Sequence, residues 1–479
     1  MRRRDFLKLS LLPLIPKISF AKEFEDYKAI VVVNLAGGND SFNTFIPIAD
    51  DESFSYDLYS KARDNIKVAN VELSLDENGE DLTLQKGENN PYYQDNKLSK
   101  SYLKGYYPHK DLKIGTNAVM PEIAHLINTG KVAILNNIGN LIMPATKEEL
   151  TSGKKPTPPF LFAHDFQTKL MMNGESGVVD FTGWAGRLYD MFPQITGSDV
   201  YSMNISLAGN VHIFDGRNTK PMILPSNGIL KYKNGIDREM FDEFLAVSSD
   251  EVGNYYKNLR KHTLILQDVL SEDLSNSYEF TSTNPYGLTI FSKPDAYTLG
   301  EKYLTTKLNF LEPLKTIAKL IKIGIDKDLK RQIFYISMGG FDTHSDQTTT
   351  HSSLLRGVSY TLGDFYLALK ELGIEDKVTI MVTSEFGRSL GENGDGSDHA
   401  WGATLFAIGG AIKGGVYGDY VDMRLGGDDD YTQKGRFIPK LSFTQYYATV
   451  LKWFGLDENE LDLLLPELKN FSKKDLGFL

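Results

Sequence analysis

Residues 332–344 read Gln-Ile-Phe-Tyr-Ile-Ser-Met-Gly-Gly-Phe-Asp-Thr-His, and residues 377–388 read Lys-Val-Thr-Ile-Met-Val-Thr-Ser-Glu-Phe-Gly-Arg. Each is an apolar, β-prone run that ends in glycine and polar residues. Continuous runs of this kind are strands buried on both faces. Polar groups just beyond the carboxyl ends of such strands are where open α/β sheets place their chemistry. The first run presents Asp342 and His344, and the second presents Glu385 and Arg388. Asp398 and His399 follow after a polar, glycine-rich stretch at 391–397. Three of the eight histidines of the chain lie between His344 and His399, so the pattern points to a site able to hold a metal.

Outward from these runs the chain alternates strands and helices. Residues 29–35, 132–138, 201–207 and 403–408 read as further strands. Helical patterns cover 121–129, with Pro121 at the first position, 183–192, 348–372 and 443–454. Residues 236–325 carry helical periodicity, clearest over 299–325. Residues 144–159 are Pro/Thr/Lys-rich and read as a loop, and 50–113 are polar and irregular, the composition of an insertion or cap. This alternation argues for an α/β fold with a mainly parallel sheet and helices on both faces.

Composition narrows the function. The chain has 479 residues, of which 41% are hydrophobic and 24% charged, with a net charge of −11. This is ordinary globular composition. No basic stripe with interleaved aromatics marks a nucleic-acid binder. There is no cysteine, which excludes disulfides, thiolate metal sites, iron–sulfur clusters and cysteine nucleophiles. Any metal must sit on His, Asp, Glu, Asn or hydroxyl groups, so a divalent Zn, Mn, Mg or Ca ion is expected.

The N-terminus reads as an address. Arg3-Arg4-Asp5-Phe6-Leu7-Lys8 matches a twin-arginine export signature except for Arg2, where Ser or Thr is usual. An apolar stretch over 9–20 follows, broken by Pro13, Pro16 and Lys17, and small residues precede a cut after Ala21. The stretch is too short and too interrupted to span a bilayer. Residues 1–21 are thus expected to be a signal peptide, with the twin-arginine translocase as a transient partner and the periplasm as destination. No later run is long and apolar enough for a span. A basic N-terminal helix of a cytosolic protein is the plainer alternative.

Each polar motif has a functional and a structural reading. Gly37-Gly38-Asn39-Asp40-Ser41 places a carboxylate and a hydroxyl on a tight turn after the first strand, where glycines allow close backbone approach to a ligand. It lacks the glycine spacing of a dinucleotide site and the Gly-Lys-Ser/Thr ending of a P-loop. Equally, Asp40 caps backbone amides in a plain turn. Asp342 and His344 share a face if their segment is extended. Asp342 is either a ligand or the hydrogen-bond partner of a ligating histidine. Arg388 either pairs with Glu385 or clamps an anionic substrate. His164-Asp165 is balanced between core and site. Arg187 reads as an anion clamp or a salt bridge, and His351 as a structural residue. His109, His125, His212 and His262 have no supporting neighbours. The Gly-x-Ser-x-Gly elbow and the His-Glu-x-x-His helix are both absent.

Together these segments resemble the bacterial family called domain of unknown function 1501, from about Lys28 to the last helix. The markers are the twin-arginine leader, Gly37-Gly38-Asn39-Asp40, Gly183-Trp184-x-Gly186-Arg187, Gly339 to His344, and Ser384 to Arg388 with Asp398-His399. The family is similar to the alkaline-phosphatase and sulfatase superfamily. That resemblance implies a three-layer α/β/α sandwich over residues 28–470, a single domain with insertions near 50–113 and 215–300. It implies a metal site at the carboxyl edge of the sheet, with Asp40, Asp342, His344, Glu385, Asp398 and His399 as the metal-binding set. His399, Arg388 and Ser41 stand as catalytic residues. The superfamily pattern has Asp-His where this chain has Glu385-Phe386, and Ala163 stands where relatives often have Ser. The expected activity is metal-dependent hydrolysis of a phosphate or sulfate ester, on an anionic small molecule or an envelope glycan or lipid. The alternative is a non-catalytic periplasmic binding or assembly protein on the same fold.

Overall fold

The computed structural model describes residues 22–75, 102–196, 198, 201–227, 243, 268–293 and 308–479. The expected leader, much of the expected insertions and most of the helical stretch up to 307 lie outside the described residues.

The strands in chain order begin with β1 (Lys28–Leu35), β2 (Phe45–Pro47), β3 (Tyr106–His109), β4 (Ile114–Asn117), β5 (Val132–Gly139), β6 (Asn204–Ser206) and β7 (Met222–Ile223). They continue with β8 (Arg331–Met338), β9 (Val378–Thr383), β10 (Arg388–Glu392), β11 (Ser397–His399), β12 (Ala403–Ile408), β13 (Gly415–Tyr417) and β14 (Leu441–Ser442). Nine strands form one sheet in the order β13-β5-β12-β9-β1-β8-β6-β7, with β14 also on β5. Neighbours are parallel except at β12, which runs antiparallel to β5 and β9.

The sheet is buried on both faces because its central strands carry apolar side chains in both directions. In β1, Ala29, Val31, Val33 and Leu35 enter one core cluster, while Ile30 and Val32 enter the other. The first cluster takes its cover from the helices Pro121–Asn128, Leu311–Asp326 and Gln347–Glu371. The second is covered by Trp184–Met191, Phe443–Phe454 and Glu458–Leu464. Each fully buried Val, Ile or Leu in these layers contributes roughly 1.5–3 kcal/mol. The architecture is therefore the expected three-layer α/β/α sandwich with a mainly parallel sheet.

Several elements differ from their sequence patterns. The 201–207 strand is limited to Asn204–Ser206. The Pro/Thr/Lys-rich stretch contains a helix, Lys147–Thr151, started by a capping box in which Thr146 and Glu149 satisfy each other's backbone amides. The described part of 50–113 contains a helix, Tyr56–Ala62, and supplies β3 to a small antiparallel sheet, β2-β4-β3. No helix among the described residues is long and apolar enough to cross a membrane.

Candidate metal centre

The site grows from the carboxyl ends of three neighbouring strands. β1 lies between β8 and β9, with Leu35 opposite Met338 and Asn34 opposite both Ser337 and Thr383. The turn after β1 presents Gly37, the segment after β8 presents Asp342 and His344, and the segment after β9 presents Glu385. Gly37 has φ +121°, and a Cβ there would lie 2.3 Å from the Asp342 nitrogen. A Cβ on Gly38 would meet the Phe386 ring. The close approach these glycines allow is thus to the neighbouring strand ends. The β10–β11 hairpin pairs Arg388 with His399 and brings both to the same rim.

Four side chains converge there. His399 Nε2 lies 3.0 Å from Asp342 Oδ1, 3.0 Å from His164 Nε2 and 2.9 Å from His344 Nε2. His344 Nε2 is 3.1 Å from Asp342 Oδ1, and His164 Nε2 is 3.5 Å from Asp342 Oδ2. His164, Asp342 and His399 each offer a donor atom, all within 4.8 Å of one another.

The opposite edge of each imidazole faces an acceptor. His164 Nδ1–H donates to Glu385 Oε1 at 2.7 Å, and His399 Nδ1–H donates to the Phe162 carbonyl at 2.9 Å. His344 Nδ1 is 3.6 Å from Asp398 Oδ1. Nδ1–H bonding to a carboxylate or carbonyl is the arrangement that fixes the ring of a metal-ligating histidine and leaves Nε2 as the lone-pair atom. Glu385 is buried, also accepts the Gly37 amide at 2.8 Å, and keeps Oε2 without a hydrogen bond. Phe162 holds its carbonyl in place with φ +73°, a strained backbone for an aromatic residue.

Charge is arranged to match. Burial opposes ionisation of Asp342, but the hydrogen bond and charge of Arg388, with the charge of His344, hold it below the usual carboxylate range. The Glu385 hydrogen bond raises the pKa of His164 against the effect of burial. Burial lowers that of His399, against the pull of Phe162 and Asp342.

The predicted residues separate into two groups. Asp342, His344, Asp398, Arg388 and His399 come together, with Glu385 behind His164. Arg388 pairs with Asp342 at 2.7 Å, not with Glu385, and commits further donors to the Ser397 and Gly37 carbonyls. Asp40 does not join them. It is fully buried, ion-paired to Arg63, bonded by Gln347 and capping the Phe42 amide. Burial opposes its ionisation, and the charge and hydrogen bond of Arg63 outweigh that effect and hold its pKa down. Ser41 is buried and lines a small cavity with Asn137 and Gly402. His351 is a core residue held between Tyr102 and Asn39. Arg187 makes hydrogen bonds to the Thr182, Asn173 and Leu464 carbonyls.

His164 is the member that sequence left undecided. It opens the helix His164–Asn173, and its neighbours Phe160 to Ala163 read as apolar packing. The one signal was the His-Asp pair itself. Asp165 belongs to no part of the cluster described above.

No curated protein matches the chain in sequence. Among solved structures, the chain is similar to the PsFucS1 sulfatase from Pseudoalteromonas sp. at 11% identity and TM-score 0.34, covering 90% of this chain and 68% of that one. It is also similar to a Bacteroides thetaiotaomicron protein from a locus that orchestrates metabolism of multiple glycosaminoglycans, at 11% identity and TM-score 0.32, covering 91% of this chain and 74% of that one. Residues 327–461, which carry every clustered residue except His164, match the family model described as protein of unknown function (DUF1501), and over that stretch the resemblance drawn from the motifs holds.

Proposed function

We propose that the chain is a metal-dependent hydrolase of an anionic phosphate or sulfate ester, with one divalent ion held by His164, Asp342 and His399. The observation that carries this reading is the shared orientation of the two imidazoles. Both present Nε2 to the Asp342 carboxylate while Nδ1–H is committed to Glu385 or to the Phe162 carbonyl. Two lone pairs and a carboxylate facing one another repel unless a positive charge lies among them. An imidazole-rich set suits Zn better than Mn, Mg or Ca, which prefer oxygen ligands. When bound, the ion supplies polarisation of an ester oxygen and stabilisation of developing charge.

The chain's own groups do the rest. Arg388 keeps Asp342 ionised and oriented. His344, about half exposed, stands at the open rim with Asp398 behind it, placed to take or give a proton at Nε2. The burial of Ser41 beside Asn137 favours water as the attacking group. It also favours a second reading, a periplasmic binding or assembly protein without turnover. The twin-arginine leader fits either reading, because export of folded protein allows a metal to be loaded first.

Elemental analysis of the purified protein, before and after incubation with Zn or Mn, is expected to find about one ion per chain. Chromogenic phosphate and sulfate esters then distinguish the readings. Turnover supports the hydrolase, and bound metal with no turnover supports the binding protein. Absence of retained metal under all loading conditions overturns both the metal centre and the hydrolase.

A further inference from the structure

We infer that Arg436 is the anion-holding residue of this site and receives the tetrahedral oxyanion group of the substrate. The inference rests on the metal-centre reading for what the anion is bound beside, and it adds the residue that recognises it. The starting point is that Arg388, the arginine in the motif, is already committed to Asp342, Ser397 and Gly37. Arg436 is different. Its guanidinium lies 4.9 Å over the Phe162 ring, the residue whose carbonyl fixes His399. Its Nη2 is 3.7 Å from Asp398 Oδ2, an ion pair too long for a hydrogen bond, and its Nε is buried with no hydrogen-bond partner. Among the described residues its side chain makes no hydrogen bond, so the Nη donors of a planar fork stand available beside the cluster.

The surrounding loop holds this fork in place. The buried Asp430 carboxylate accepts four backbone amides, from Gly426, Thr432, Gly435 and Arg436, at 2.9–3.2 Å. The Gly435 and Lys434 carbonyls accept the Leu390 and Gly391 amides of β10, the strand that carries Arg388. The guanidinium carbon lies over the Phe162 ring, a cation–π contact that adds to its hold. The exposed Lys434 adds a second positive charge near Asp398. A preorganised arginine fork beside a metal centre suits bidentate contact with a sulfate or phosphate group, which a lysine does not reproduce.

The test uses the metal-loaded full chain titrated with inorganic sulfate and with inorganic phosphate by calorimetry, alongside metal content. Wild type is expected to bind at least one of them. R436Q is expected to bind it about tenfold more weakly or less, and R436K to fall between, because losing a charged hydrogen-bond donor has an effect of that order. Metal content should be equal in all three. Equal affinity in wild type and R436Q overturns the inference and leaves the metal reading intact, as does absence of anion binding by metal-loaded wild type. Loss of metal from wild type overturns the metal reading, and the affinity ratio still decides Arg436. If R436Q does not fold, R436K carries the test, and affinity equal to wild type overturns the inference.

Discussion

His164 Nδ1 lies 2.7 Å from the buried carboxylate of Glu385, which joins two residues 221 positions apart in the chain. The contact turns the imidazole so that Nε2 faces Asp342 and His399. On the metal reading proposed above, it also gives Glu385 a role behind the centre, orienting a ligand. Glu385→Gln should therefore weaken metal affinity by about 10–100-fold, the usual effect of losing such a support, while His164→Ala should abolish retention. Chelator competition measures both. Wild-type affinity in the Glu385→Gln variant would remove the orienting role.

Asp40 has the sequence signature of a ligand and the surroundings of a structural anion. Removing it leaves the Arg63 guanidinium buried without its counter-charge. Asp40→Ala should destabilise the fold by about 3–5 kcal/mol, read as a lower urea midpoint. Metal content per folded molecule should be unchanged. Loss of metal with stability intact would return Asp40 to the site.

His351 makes stability pH-dependent. Burial drives its pKa down from 6.5 to about 4, with Asp40 pulling the other way and Arg63 and Arg388 adding to the fall. Its Nε2–H donates to Asn39, and Nδ1 accepts from Tyr102. A neutral folded histidine whose unfolded form takes up a proton contributes stability above about pH 6.5, and that contribution is lost as pH falls toward 4. The contribution is about 3 kcal/mol. Urea midpoints of wild type and His351→Gln at pH 7.5 and 4.5 isolate it. The variant should show a shallower acid loss, and parallel curves would refute the assignment.

Gly37 allows β1 to end against the Asp342 backbone. Gly37→Ala combines a φ of +121° with a Cβ 2.3 Å from the Asp342 nitrogen, so the segment after β8 must shift. Metal affinity should fall together with stability, the latter by more than about 1 kcal/mol. Thermal unfolding and metal titration of the same sample check it. Normal metal binding in a destabilised protein would separate the turn from the centre.

The central strands were legible because a double-buried strand must be apolar on both faces, and 29–35, 332–338 and 377–383 are. The helix Phe443–Phe454 was legible to the residue. Ser442 and Gln445 form a capping box at its start and Gly455 is left-handed at its end. These signals lie within a few residues of the structure they specify. The Lys147–Thr151 helix was hidden because prolines and threonines dominate its neighbourhood. The direction of β12 was hidden because antiparallel pairing depends on the path of the connection, not on the strand's own residues.

For the site, sequence determined which residue types were available and which strand ends would carry them: Asp342 and His344 after one strand, Glu385 and Arg388 after another, His399 in the hairpin that follows. Tertiary structure alone decided their partners. It set Arg63 and Gln347 against Asp40, turned Glu385 toward His164, committed Arg388 to Asp342 and left the Arg436 fork open beside them. Periodicity, capping and strand burial act over a few residues and leave a trace in the order of amino acids. A hydrogen bond across hundreds of residues depends on how layers pack, and no local pattern encodes it.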